Sequence, residues 1–350
     1  MDSGSVTGSD GGAAADLSTP VDGLCAAVVG HLRRSWADPR LHVEHWGRFG
    51  DGHSGDTFSA TLYSTRFHGP VVARLSPPGV TIAGPADVGR QGRILGALHT
   101  AGAPAPRVLE AESGPVVDGR AIVVMERLSG EGWSTFRARR GDRATASAAV
   151  AALRVVQAIP ADRNGIPDDR SFGLLEEVDR WTGLLRRCPD AVASAAQDLR
   201  TALAASAAVG EPDTASVLVH GDLHYGNMLF GDDRVVAVLD WEIAALGHPL
   251  TDVGCLAVAS LRRHYSPDPN PTGDIDIALA ELAELYDAAA SAVAWHTAAA
   301  CLKYTAIIGY NLHLHRSGRR PDPIYESLQT TMHRLLDDGA RLLATGLADR

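Results

Sequence analysis

In the first third of the chain, apolar residues come in short runs that favour β-strands. These runs cover residues 41–49, 57–64, 71–75, 108–111 and 121–128, each bounded by Gly, Pro or Asp, and they predict five strands. One stretch, 86–101, breaks the pattern. It places Val88, Ile94, Leu95 and Leu98 at helical spacing and leaves through the Gly/Pro-rich segment 102–106, so a single helix is expected among the strands. After Leu128 the period changes. Ala/Leu/Arg-rich helices are predicted near 143–158, 174–187, 191–208, 249–264, 275–316 and 324–344, with one β-like insert at 217–239. The pattern predicts a flexible Gly/Ser/Asp/Ala-rich tail at 1–20, a β-rich unit at 21–128 and a larger helical unit at 129–350.

Composition narrows the class. In 350 residues, 45% are hydrophobic and 21% charged, which excludes a largely disordered, collagen-like or disulfide-scaffold chain. The net charge of -10 disfavours a general nucleic-acid or anionic-membrane binder. Of the 32 basic residues only Lys303 is a lysine, so chemistry that needs a cation in the N-terminal unit must use Arg. The four cysteines, Cys25, Cys188, Cys255 and Cys301, show no C-x-x-C spacing and read as thiols in a reducing compartment. Tail 1–20 lacks the basic and apolar regions of a signal peptide, and the run 288–302 is too short to span a membrane, so a cytoplasmic location is expected.

The β-like insert carries the chemistry. It reads His220-Gly221-Asp222-Leu223-His224-Tyr225-Gly226-Asn227 and then, after a strand, a turn and a strand, Leu239-Asp240-Trp241-Glu242. Two carboxylates and an amide brought to one mouth suit phosphoryl transfer: one carboxylate takes the proton of a hydroxyl, while the amide oxygen and the other carboxylate hold Mg²⁺ against nucleotide phosphates. The joined pattern resembles the aminoglycoside phosphotransferase family, which includes choline kinases and homoserine kinases, and more distantly the catalytic loop and D-F-G of protein kinases. The resemblance implies an α+β, bilobal protein-kinase-like fold with a small β-rich N-lobe and a larger helical C-lobe. It also implies Asp222 as catalytic base, Asn227 and Asp240 as Mg²⁺ ligands, His220 as a brace for the loop, and ATP or GTP as phosphoryl donor. The segment Gly247-His248-Pro249-Leu250-Thr251-Asp252 is similar to the family's G-D-P-x-x-D, with His248 in place of the first Asp and Asp252 as a structural brace.

The N-terminal unit matches in the same order. The turn 51–58 resembles the family's glycine-rich turn and offers Gly52, Ser54 and Gly55 to phosphates. An ordinary surface hairpin reads the same way. Arg74, followed by Pro77-Pro78-Gly79, stands where protein kinases place a strand lysine, and R-x-x-P-P-G is similar to the acyl-CoA-dehydrogenase-linked branch of the family. On the next helix the family's glutamate is replaced by Gln91, which can hydrogen-bond Arg74 but cannot neutralise it. Residues 123–128 resemble the hinge between lobes, where Met125 and Glu126 meet the base of the nucleotide.

The resemblance fades in the last helices. Trp295, Ala299, Leu302 and Ala306 recur at helical spacing and read as core. His313 and His315 fall on different helix faces, and Glu281, Glu284 and Asp287 read as a solvated acidic face. Two functions stay open. One is a kinase acting on a hydroxyl of a small molecule, either an aminoglycoside-like antibiotic or another metabolite alcohol. The other is a catalytically weak nucleotide-binding regulator, suggested by Gln91 and the altered glycine turn.

Overall fold

The computed structural model describes residues 21–49, 56–160, 171–211, 213–260 and 275–348. The tail at 1–20 and the turn residues Gly52, Ser54 and Gly55 lie outside the described residues, as do positions 261–264 of the helix expected at 249–264.

The five expected strands form one antiparallel sheet in the order β1-β2-β3-β5-β4: β1 (His42–Arg48), β2 (Asp56–Tyr63), β3 (His68–Leu75), β4 (Val108–Val117) and β5 (Arg120–Glu126). β4 runs six residues beyond its expected end, through Glu112, Ser113 and Gly114, which carry little strand propensity. It is held there by the two-residue turn Asp118-Gly119, whose φ values of 48° and 72° let Val117 pair with Arg120 on β5.

Alternation along β5 separates two apolar layers. Ile122 and Val124 pack with Leu24, Val28, Leu32 and Trp36 of α1 (Val21–Trp36), while Ala121 and Val123 pack with Val88 of α2 (Val88–Thr100). Helix α1 was not expected, although Leu24, Val28 and Leu32 stand at i, i+4 and i+8. It is pinned by Glu110 of β4, which accepts from Trp36 Nε1 and Ser35 Oγ at 2.7 Å each. Helix α2 is capped by Asp87, which accepts from the Arg90 N–H at 2.9 Å. Gly89 and Gly92 bring α2 onto the sheet, since a Cβ on Gly89 would stand 2.3 Å from the Glu112 carbonyl carbon.

The helical unit contains α3 (Trp133–Arg140), α4 (Asp142–Gln157), α5 (Leu174–Leu185), α6 (Asp190–Ala205), α7 (Leu250–Ser260), α8 (Leu279–Tyr286), α9 (Ala290–Arg316), α10 (Ile324–Ser327) and α11 (Gln329–Ala348). The short α3 has no apolar period, because only Phe136 is buried, packed 4.6 Å from Phe230. The helix expected over 275–316 is two helices, divided at Asp287, which ends α8 in the left-handed region with φ 64°. Helix α9 is the central rod of this unit and packs on α5, α7 and α11. Trp295, Leu302 and Ala306 are buried in its core, as their spacing predicts.

Two small antiparallel pairs lie between α6 and α7 in the chain: β6 (Val217–Val219) with β9 (Ala245–Gly247), and within that span the hairpin of β7 (Met228–Phe230) with β8 (Val235–Val238). Val238 donates its N–H to the Pro104 carbonyl at 2.9 Å, and Arg90 Nη2 donates to the Ala244 carbonyl at 2.7 Å, so this segment joins the two lobes. Helices α7 and α9 approach so closely that a Cβ on Gly254 would stand 2.4 Å from the His296 carbonyl oxygen. Gly254→Ala is therefore expected to destabilise the protein by about 1–3 kcal/mol despite the better helix propensity of Ala. An unchanged urea midpoint would contradict that contact.

Candidate active site

The loop after β6 is fixed before it reaches its first carboxylate. Asp252, in the first turn of α7 and fully buried, accepts the His220 N–H at 2.7 Å and the Gly221 N–H at 2.9 Å. Burial pushes its carboxyl up, and the His220 side chain and these two N–H groups act against that push. Gly221 has φ 82°, and a Cβ there would stand 3.1 Å from the Ile243 carbonyl oxygen, so the turn suits glycine alone. Its own carbonyl accepts a short hydrogen bond from Lys303 Nζ on α9. Asp252 thus has the structural role expected of it.

His220 is a brace as well. Its Nδ1 accepts from the Asp222 N–H at 3.2 Å, which leaves Nε2 as the donor to the Leu239 carbonyl at 2.6 Å. The ring lies 4.7 Å from Trp241. His248 works in the same way at the start of α7: Nδ1 accepts from the Leu250 N–H at 3.1 Å and Nε2 donates to the Glu211 carbonyl at 2.6 Å.

Asp222 follows this clamped backbone. Its Oδ1 accepts from the Tyr304 hydroxyl at 2.8 Å, and its carbonyl accepts from Asn227 Nδ2 at 3.0 Å. Burial alone would push the Asp222 carboxyl up, but the neighbouring His224, Lys303 and His220 side chains, with the Tyr304 hydroxyl, outweigh it and hold the group below the usual carboxylate value. Asp222 is therefore an ionised carboxylate at neutral pH, the form able to take a proton.

Asn227 and Asp240 are brought together by a main-chain bond, since the Leu239 N–H donates to the Asn227 carbonyl at 2.8 Å. Asp240 has φ 62°, an uncommon conformation for a non-glycine residue, and its side chain points into the cleft beneath β3. There it pairs with Arg74 of β3. The Arg74 guanidinium also donates to Gln91 Oε1 at 3.3 Å and stands 3.6 Å from Glu242 Oε2, while Gln91 Nε2 donates to the Pro85 carbonyl at 3.2 Å. Gln91 is thus the neutral partner of Arg74 that the sequence leads one to expect.

Two cavities flank these groups. The larger, about 610 Å³, lies between the sheet and the β7–β8 hairpin and is lined by Arg74, Val123, Met125, Glu126, Leu239 and Asp240. Phe49 and Thr57 also line it. The smaller, about 260 Å³, lies on the other side of the loop against α9, with Trp133, His224, Tyr225, Tyr304 and Ile308 in its wall. The structure thus gathers Arg74, Met125, Glu126 and Asp240 around one space and sets Asp222 and Asn227 on the loop beside it.

A family model described as the phosphotransferase enzyme family matches residues 45–301. The chain belongs to that family. Among curated proteins it is 31% identical over 229 residues to a probable acyl-CoA dehydrogenase, IBR3, of Arabidopsis thaliana, covering 59% of this chain and 27% of the relative. It is 27% identical over 223 residues to acyl-CoA dehydrogenase family member 11 of Rattus norvegicus, covering 60% and 27%. The chain therefore spans about a quarter of the length of these relatives. Among solved structures, a protein from Ralstonia eutropha provisionally assigned as an aminoglycoside phosphotransferase aligns with TM-score 0.68 and 20% identity over 91% of this chain and 98% of its own. A thermostable mutant of the aminoglycoside phosphotransferase APH(4)-Ia, bound to AMP-PNP and hygromycin B, aligns with TM-score 0.62 and 16% identity over 90% and 99%. These likenesses show the bilobal kinase-like fold.

Three contacts were not legible in the family pattern. Lys303 is buried behind the loop, donating to Gly221 and, at 2.9 Å, to the Cys255 thiol, so the chain's single lysine serves the 220–227 loop and not the larger cavity. Its rarity was the signal that could have found it. Glu242 stands beside Arg74 from the far end of L-D-W-E, and Tyr304 touches Asp222 itself. The acidic face read at Glu281 and Glu284 pairs with Arg143. His313 stands 3.1 Å from Arg319, and His315 accepts the Asp322 N–H at 2.8 Å. Among the described residues no helix is long and apolar enough to cross a membrane.

Asp252→Ala should leave two buried N–H groups without their acceptor, at on the order of 1–3 kcal/mol each. Urea unfolding with amide exchange at His220 and Gly221 measures this. Unaltered stability and protection would show that the loop does not depend on Asp252.

Proposed function

We propose that this chain transfers the γ-phosphoryl group of ATP or GTP to a hydroxyl of a small-molecule acceptor, with Asp222 as the base. The observation that carries this reading is the Asp222 carboxylate on a loop that is bonded through Asn227 to Leu239, a wall residue of the 610 Å³ cleft, while His224 and Tyr225 of the same loop line the second cavity. Arg74 offers a guanidinium fork to the nucleotide phosphates. Gly52, Ser54 and Gly55 cover those phosphates, and Met125 and Glu126 meet the base. Asp222 accepts the acceptor's proton and orients its oxygen in line with the phosphoryl group.

Asn227 and Asp240 suit Mg²⁺. The Asn227 amide is oriented by its Nδ2 bond to the Asp222 carbonyl, which frees its oxygen, and the strained backbone of Asp240 turns a second oxygen donor towards the cleft. Two protein oxygens are the usual share for a magnesium ion that also keeps water and substrate phosphates. When bound, the ion neutralises charge on the phosphates. Among the described residues no cluster of three or more His, Cys, Asp and Glu forms a metal cage, so the nucleotide would complete the coordination.

The second cavity bears on the acceptor. Its described wall is mainly apolar, and a polycationic aminoglycoside finds no carboxylate among the described lining residues. An alcohol carried on an apolar body fits it better, and this is the acceptor class we favour within the metabolite alcohols. The dehydrogenase names of the curated relatives supply no further activity here, because the chain spans 27% of their length.

Asp222→Asn is expected to lower transfer by about 10²–10⁴-fold while leaving nucleotide affinity nearly unchanged. Asp240→Ala should instead raise the Mg²⁺ concentration needed for nucleotide binding. Transfer assays over a panel of apolar alcohols and aminoglycosides, alongside Mg·nucleotide titrations, measure both. An Asp222→Asn protein retaining more than about a tenth of wild-type kcat would remove the base. Tight nucleotide binding without transfer to any acceptor would favour the regulator suggested by Gln91.

Arg74→Ala should weaken nucleotide binding by about tenfold or more, the scale of a lost charged phosphate contact. Gln91→Glu should leave binding equal or tighter, since it gives Arg74 a charged brace. Superimposable titration curves for both variants and wild type would take Arg74 out of the site.

A further inference from the structure

Asp252 accepts the Gly221 N–H and Lys303 donates to the Gly221 carbonyl, so the two peptide groups that flank this residue, and the backbone leading into Asp222, are fixed. Those bonds do not set how the Asp222 carboxylate is turned. The Tyr304 hydroxyl, which donates to Oδ1 at 2.8 Å, does so. Tyr304 directly follows Lys303 on α9, and the same phenol lines the 260 Å³ cavity with His224, Trp133 and Ile308. One side chain therefore touches both the carboxylate and the space beside it.

We propose that Tyr304 is the positioning residue of the phosphoryl-transfer site: by donating to Oδ1 of Asp222 it fixes the carboxylate and turns Oδ2 towards the acceptor hydroxyl, while its ring forms the wall against which the acceptor's apolar body rests. The proposal rests on the reading of Asp222 as the base. The phenol is a donor only, since burial and the neighbouring Asp222 hold its proton well above the usual tyrosine range. It therefore orients the carboxylate without competing for the acceptor's proton. Phe in its place keeps the wall and loses the donor, which separates the two roles in a single substitution. Because α9 is anchored to the loop at Lys303, the distance between the wall and the base is set by one turn of one helix.

The test compares wild type with Tyr304→Phe in two ways. In steady-state transfer to an alcohol that the wild type accepts, kcat should fall by about tenfold to a hundredfold, the scale of a misplaced reacting group. Acceptor KM and nucleotide affinity should stay within about threefold, because wall and cleft are unchanged. A purely structural role predicts a lowered melting temperature with kcat per folded molecule intact, and kcat within about threefold of wild type would overturn the proposal. Crystals of both proteins with Mg·AMP-PNP give the second reading. The carboxylate of Asp222 should be rotated or split in Tyr304→Phe and single in wild type, and an unmoved carboxylate would overturn the proposal. Should the wild type phosphorylate nothing, the kinase reading fails, while the crystals still decide whether Tyr304 orients Asp222.

Discussion

A carboxylate buried in the first turn of α7 accepts two consecutive main-chain N–H groups, and the geometry of the whole site follows from that pair of bonds. Asp252 holds the N–H groups of His220 and Gly221, and Lys303 holds the Gly221 carbonyl. Isolated in an apolar interior, either charge would cost several kcal/mol. Bonded to the N–H and the carbonyl of one residue, they satisfy polar groups of successive peptides in a sharp turn. Asp222 then leaves the turn in a direction fixed by buried groups, where a flexible surface loop would leave its direction unset.

The second constraint crosses between the lobes. Arg74 reaches from the sheet to Asp240, with Gln91 on one side and Glu242 on the other. Where Gln91 brings no charge, Glu242 supplies a carboxylate next to the guanidinium. This contact draws β3, α2 and the β7–β8 hairpin around one cation. On the proposed function, phosphates entering the cleft would compete with Asp240 for Arg74, and nucleotide binding would release that carboxylate towards the metal.

The strands and α2 were legible because one face or both faces of each are buried, and burial writes a period into the sequence. Helix α3 carries no such period, since Phe136 is its one buried side chain. The division of 275–316 at Asp287 left no Gly or Pro as a marker, because Asp takes the left-handed conformation there. For the site, Asp222, Asn227 and Asp240 sit within a short stretch of sequence in a recognisable order. Lys303 and Tyr304 reach the same loop from a helix about eighty residues later, and α9 is buried on several sides, so no pattern of polar and apolar positions sets them apart. The family model reaches residue 301, inside α9, well past Asp252, where the sequence motifs end.

Crystals grown with Mn²⁺ and AMP-PNP test the central claim most directly, because manganese takes the place of magnesium and scatters anomalously. The expected result is an anomalous peak between Asn227 and Asp240, with the γ-phosphate facing Asp222 and Arg74 turned from Asp240 onto the phosphates. A nucleotide bound with no peak at those two residues, and with Arg74 still on Asp240, would contradict it.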